Sequence, residues 1–144
     1  MFKNHQQNLQ FNTRGRGTTN ISEDINHIVA QSGIISGLCH IFIQHTSASL
    51  MLCENADPMV RNDLETFMSH LVPDGSAMFQ HIDEGADDMP AHVRSILTNM
   101  DLSVPITSGR LALGTWQGIY LWEHRTHPHY RSIVVTCQGN IESV

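Results

Sequence analysis

Apolar residues recur at helical spacing in three stretches of the chain and alternate or run together in the rest. Ile21, Ile25, Ile28 and Val29 form the stripe of a first helix, with Asn20-Ile21-Ser22-Glu23 in the form of a capping box before it and Gly33 placed to end it. Asp57-Pro58 opens a second helix, whose expected buried stripe is Val60, Leu64, Phe67, Met68 and Leu71. A third is expected to begin at Pro90, since the N–H that proline lacks would have had no partner in a first turn. Asp88 is its expected cap, and Val93, Ile96 and Leu97 its expected inner face. Strands are read at 6–14 (weakly), at Leu38–Gln44, and over Leu102, Val104 and Ile106. Ser108-Gly109 turns the last of these back on Arg110–Gly114, and Ile119–Glu123 and Ser132–Cys137 complete a β-rich second half. Helices mixed among antiparallel strands, without repeat or linker, predict one compact α+β domain over 1–144. Its sheet is expected to be mixed but mainly antiparallel, with a few helices packed on it.

Composition narrows the class of partner. A length of 144 residues suffices for a core without staples, and 40% hydrophobic with 15% charged residues fits a soluble domain. A formal net charge of −6 argues against nucleic acid or an anionic membrane, either of which calls for a basic face. No apolar run approaches the roughly 20 residues of a membrane helix. The opening MFKNHQQNLQ lacks the apolar core of a signal peptide, so a cytoplasmic protein is expected. Cys39, Cys53 and Cys137 form no CxxC pair and read as reduced thiols, Cys39 and Cys137 as small buried hydrophobes.

Four stretches carry candidate chemistry. His81-Ile82-Asp83-Glu84-Gly85-Ala86-Asp87-Asp88-Met89-Pro90-Ala91-His92 gathers four carboxylates and two imidazoles around a glycine. Such a set suits a divalent cation or proton transfer, and equally an acidic solvated loop before a capped helix. His45-Thr46-Ser47-Ala48-Ser49 ends a strand with an imidazole and three hydroxyls, but alone it reads as a polar turn. In Asn55-Ala56-Asp57-Pro58-Met59-Val60-Arg61, a surface pair of Asp57 with Arg61 accounts for both charges and leaves Asn55 unexplained. Gly114-Thr115-Trp116-Gln117-Gly118 reads either as a pocket wall for a flat ring or as a hairpin with Trp116 in the core. Arg110 and Arg125 could clamp a diphosphate through paired guanidinium bonds. His127-Pro128-His129 reads as an exposed turn.

In this order, GLCHIFIQHTSASL (37–50), ENADPMVRNDLE (54–65), HIDEGADDMPAH (81–92) and GRLALGTWQGIYLWEHR (109–125) resemble the YjbQ-like family, also called secondary thiamine-phosphate synthases. SGIISG before them and RSIVVTCQG after them extend the likeness over nearly the whole chain. A departure comes at the end, where the family's Gly-Glu reads Gly139-Asn140, with Glu142 two residues on. The resemblance implies a homotrimer with a polar cavity near its subunit contacts. It also implies an enzyme that joins hydroxymethylpyrimidine diphosphate to a thiazole phosphate, releasing diphosphate. On that reading His45, His81 and His92 hold a divalent metal, zinc or magnesium, helped by Glu84 or Asp88. Asp87 or Asp88 with His92 anchors the metal, Asp88, Glu84 and Arg110 serve catalysis, and Asn55, Arg61, Thr115, Trp116, Gln117 and Arg125 bind the phosphorylated substrate. The alternative is a non-catalytic trimer that binds a metal or a metabolite.

Overall fold

The computed structural model describes residues 1–142. Its elements are β1 (Phe2–Asn12), β2 (Gly17–Asn20), α1 (Ser22–Ser32), β3 (Ser36–Ile43), β4 (Ala48–Glu54) and α2 (Pro58–Leu71). They continue with α3 (Asp88–Leu97), β5 (Asp101–Thr107), β6 (Arg110–Leu111), β7 (Gln117–Glu123) and β8 (Tyr130–Asn140). The strands divide between a five-stranded sheet, β1-β8-β3-β5-β6, and a three-stranded sheet, β2-β7-β4. Every strand pair among the described residues is antiparallel.

The main core lies between the two sheets and α1. Cys39, Ile41, Ile43, Ile133, Val135 and Cys137 face Ile25, Ile28 and Val29 of the helix and Leu50, Ile119 and Leu121 of the smaller sheet. β7 is buried on both faces, because Met51, Met68, Tyr120 and Trp122 form a second cluster under α2. That explains its unbroken apolar run. β1 pairs with β8 from Phe2↔Asn140 to Asn12↔Tyr130, yet its inward side chains are only half-buried, which fits a polar edge strand that the sequence signals weakly. Gly37 and Gly139 face each other across β3 and β8. A Cβ on either would lie 1.9 or 2.1 Å from a backbone carbonyl of the other strand, so only two glycines allow that approach. Ser108 and Gly109 both have positive φ, 52° and 76°, as a tight hairpin between β5 and β6 requires.

Two helices depart from the expected orientation. α1 ends at Gly33 in the left-handed conformation, and Asp57 caps α2 through the Met59 amide, both as expected. On α2, however, only Met68 is fully buried, while Phe67 and Leu71 are 61% and 54% exposed. On α3 the expected inner face points outward, with Ile96 78% exposed. Its buried residues are Asp88, Pro90, Ala91, Arg94 and Ser95. Asp88 is therefore the first residue of the helix and a buried acid, not its cap, and Pro90 is the third, where its N–H would still have had no partner. The polar face can turn inward because distant segments receive it. Ser95 Oγ donates to the Ala48 carbonyl, Arg94 donates to Glu65, and Asp88 meets Arg125.

Candidate functional site

The segment that leaves β7 sends three consecutive side chains into three different surroundings. Glu123 is buried and bonded by Thr13 and by the Arg131 guanidinium. The amides of His124 and Arg125 also donate to it. Burial alone would raise its carboxyl, but the bonds from Arg131 and Thr13 outweigh that and hold it below the ordinary glutamate range. His124 is fully buried, with Nε2 2.8 Å from Ser49 Oγ. Burial, reinforced by the charges of Arg94, Arg16 and Arg131, pushes its pKa down to about 3, so it is neutral.

Arg125 turns toward the loop before α3. Its Nε donates to Asp87 Oδ2 at 2.9 Å, its Nη1 lies 2.9 Å from Asp88 Oδ1, and its Nη2 donates to the Glu84 carbonyl at 3.0 Å. The Thr126 amide adds a bond to Asp87 Oδ2. Burial would raise the Asp87 carboxyl, but the Arg125 and Thr126 bonds with the Arg125 charge bring it well below the usual carboxylate range. Gly85, at φ 109°, makes the loop possible, since a Cβ there would sit 3.0 Å from Asp87 Oδ1.

This bracket leaves Asp88 Oδ2 facing two imidazoles, with His81 Nε2 at 2.8 Å and His92 Nε2 at 3.1 Å. The three ligand atoms lie within 4.8 Å of one another. His92 Nδ1 is 2.9 Å from the Thr46 carbonyl, which can only accept, so Nδ1 carries the proton. In the neutral ring, Nε2 then points a lone pair at a carboxylate oxygen. Three arrangements satisfy that contact: a proton on the ring, a proton on the carboxyl, or a cation held between the groups. An imidazole whose far nitrogen donates to a carbonyl, beside a carboxylate whose second oxygen is held by an arginine, matches the outer-shell support of metal ligands. Two imidazoles and a carboxylate suit a zinc-like ion and leave coordination positions for ligand oxygens. A hollow of about 250 Å³ opens beside His81, lined by Gly75, Phe79, Gly85 and Met89 among others.

The structure brings Asp87, Asp88, His81, His92 and Arg125 together, and Glu84 joins them through its backbone carbonyl. The remaining sequence candidates lie elsewhere. His45 stands apart from the cluster, its Nε2 accepting the Ser132 amide, and burial followed by the Arg131 charge lowers its pKa. Arg61 does not pair with Asp57. It donates to the Glu54 carbonyl and lies over the Tyr120 ring, 4.7 Å from its centroid. Asn55 ties down the hairpin through the Thr115 and Gln117 carbonyls, and Gln117 Oε1 accepts the Gly114 amide. Thr115 is exposed, and Trp116 is 64% exposed, so Trp116 is not a core residue. Arg110 lines a separate depression with Glu23, Asn26, His27, Ala30 and Gly109. Sequence reasoning missed the Thr46 carbonyl, because a backbone acceptor has no signature in residue identity. It also missed the turn at 13–16 that leads into β2, although two of the chain's eight Lys and Arg residues, Arg14 and Arg16, fall within it.

Comparison with known proteins agrees over the full length. A UPF0047 protein of Synechocystis is 48% identical over 140 residues, covering 97% of this chain and 95% of that one. The UPF0047 protein YjbQ of Escherichia coli O157:H7 is 43% identical over 136 residues, covering 94% and 98%. A crystal structure from Sulfolobus solfataricus, described as a YbjQ-like protein of unknown function, superposes with a TM-score of 0.88 at 26% identity, covering 97% of this chain and all of that one. Among the described residues no helix is long and apolar enough to cross a membrane. The family model for UPF0047 protein YjbQ-like matches residues 7–140, and the chain belongs to that family.

Proposed function

We propose that the chain is a divalent-metal enzyme acting on phosphorylated small molecules, with His81, Asp88 and His92 as the metal ligands. The observation that carries this reading is the orientation of His92, whose Nδ1 is taken by the Thr46 carbonyl so that Nε2 is the nitrogen turned to Asp88 Oδ2, with His81 Nε2 on the same oxygen. The ligand set favours zinc over magnesium, which prefers an all-oxygen shell. When bound, the ion supplies positive charge to phosphate oxygens. Arg125 fixes Asp87 and Asp88 as the ligand platform. The form suggested by the family resemblance is secondary thiamine-phosphate synthesis, in which the thiazole nitrogen attacks a pyrimidinylmethyl carbon and diphosphate leaves. That nitrogen has a free lone pair, so the site needs charge stabilisation and alignment rather than a strong base.

A second reading, a non-catalytic trimer that binds metal or metabolite, gains from the arginines. Arg125 is engaged with its own acids and Arg110 lines a different depression, so neither is poised over the cluster. Both readings take the protein to be a homotrimer. Leu71, Met78 and Leu97 are exposed around one apolar groove, a surface of the kind that subunits cover. Cys39 and Cys137 face each other unbonded in the core, which suits a reducing cytoplasm. The test is metal analysis and zinc titration of untagged wild type, His81→Ala and His92→Ala, followed by steady-state formation of thiamine phosphate. Zinc retained by both variants would sink the ligand assignment. Zinc binding by wild type without turnover would select the second reading. Light scattering checks the trimer, which a monomer at micromolar concentration would overturn.

A further inference from the structure

An inventory of cations separates two arginines from the rest. Lys3 donates to the Ser32 carbonyl, Arg16 pairs with Asp74, Arg61 donates to the Glu54 carbonyl, and Arg94 pairs with Glu65. Arg125 pairs with Asp87 and Asp88, and Arg131 with Glu123. Among the described residues this leaves Arg14 and Arg110 without a partner. Their surroundings differ in sign. The depression beside Arg110 also contains Glu23. The one beside Arg14, about 400 Å³, is lined by Asn12, Thr13, Arg14, Gly15, Arg16, Gly17, Thr18, Thr19 and Glu123. Its single acid is the saturated Glu123, whose two oxygens already take Thr13, Arg131 and two amides.

We infer that the turn from β1 into β2 is a phosphate- or diphosphate-binding site, with Arg14 and Thr18 as its principal side-chain contacts. Four observations support it. The Arg14 and Thr18 side chains line the depression and make no hydrogen bond among the described residues, so their donors are available. Gly15 and Gly17 hold φ of 128° and 146°, backbone that side-chain residues avoid and that lets the chain turn without side chains filling the depression. β2 is an edge strand, so part of its amide row faces away from β7 and can donate outward. The volume falls within the roughly 300–1,000 Å³ of small-molecule sites.

The location joins this cradle to the metal cluster. A Cβ on Gly15 would lie 2.8 Å from the Thr126 carbonyl, and the Thr126 amide holds Asp87. Arg16 bonds both oxygens of Asp74, beside Gly75, which lines the hollow at His81. The cradle and the cluster therefore flank the same short segment, 123–126. The inference deepens the proposed reading and rests on it only in taking the substrate to be phosphorylated. It replaces Arg110 and Arg125 with Arg14 as the residue that receives the anion.

The experiment is calorimetric titration of inorganic diphosphate into full-length wild type, Arg14→Ala, Thr18→Val and Arg110→Ala, at low salt with a chelator present. Saturable binding is expected in wild type. Arg14→Ala should weaken it about tenfold or more, as loss of a charge-assisted bond does, and Thr18→Val by a smaller factor. Arg110→Ala should bind as wild type. Arg14 is an exposed loop residue, so a thermal melt should register no change in folding. Absence of binding at roughly 10 mM diphosphate would overturn the proposal. So would equal affinity in wild type and Arg14→Ala, or an equal loss in Arg110→Ala. Zinc titration of the same proteins keeps the two sites apart: loss of zinc binding alone tells against the metal cluster and leaves the cradle intact.

Discussion

Glu123 and Asp88 are both buried acids beside arginines at the same end of the molecule, yet they are built to different ends. Glu123 is closed. Both oxygens are filled by protein donors, and its arginine is itself buried. Asp88 is held by Arg125 on Oδ1 only, and its Oδ2 faces two imidazoles, one of which has already spent its proton on Thr46. The difference teaches that burial and ion pairing do not mark a site by themselves. A leftover lone pair does, when the surrounding bonds fix its direction.

The largest effect that sharpens this contrast comes from the closed acid. Arg131→Met leaves Glu123 buried without its counter-charge and should cost about 3–5 kcal/mol in urea unfolding. A loss below about 1 kcal/mol would place Glu123 in the open class instead.

The second concerns pH. An unfolded histidine titrates near 6.5, whereas burial, then the charges of Arg94, Arg16 and Arg131, hold folded His124 down to about 3. Between those values the unfolded chain binds a proton that the folded chain refuses. Stability therefore falls as pH drops below about 6.5, by up to roughly 1.4 kcal/mol per unit. Asp87 and Glu123 are shifted in the direction that adds loss only under stronger acid, as pH falls below the unfolded carboxylate range. Melts of wild type and His124→Gln from pH 7 to 5 should give a shallower slope for the variant. Some slope persists, because His45 is lowered in the same direction. Equal slopes would remove His124 from the account.

The smallest effect tests the open acid. Arg125→Gln leaves the three ligand atoms in place and removes their support, so zinc affinity should fall by about 10–100-fold, less than in His81→Ala. An Arg125→Gln protein that binds zinc as wild type would make the bracket purely structural.

Much of this was legible in the chain. Ile25, Ile28 and Val29 with Gly33, Asp57 before Pro58, and Ser108-Gly109 each produced the expected local structure, since each depends on neighbours in sequence. Composition left the stretch 81–92 open between a solvated loop and a site, and the fold brings His81, Asp88 and His92 within reach of one another. What failed depended on distant partners. The apolar period of α3 picked the wrong face, because Asp88 and Ser95 meet Arg125 and the Ala48 carbonyl and one nitrogen of Arg94 bonds Glu65, although its Nε and Nη2 stay buried without a partner. Periodicity finds an apolar stripe but does not say whether core or another surface covers it. His45 reads as a ligand in sequence, and only the fold shows the Ser132 amide waiting for it.

The inward polar face of α3 also bears on the order in which the molecule assembles. Little hydrophobic force draws this helix onto the sheets, for Pro90 and Ala91 are its only apolar residues fully inside. Its anchors are hydrogen bonds to Thr46, Ala48, Glu65 and Arg125, groups that take up position only after β4, α2 and β7 have formed. α3 should dock late and open early, with its amides exchanging ahead of those in β3 and β8. Cation binding, by tying residues 81 and 92 together, would slow that exchange and make the ligand the final staple of the fold.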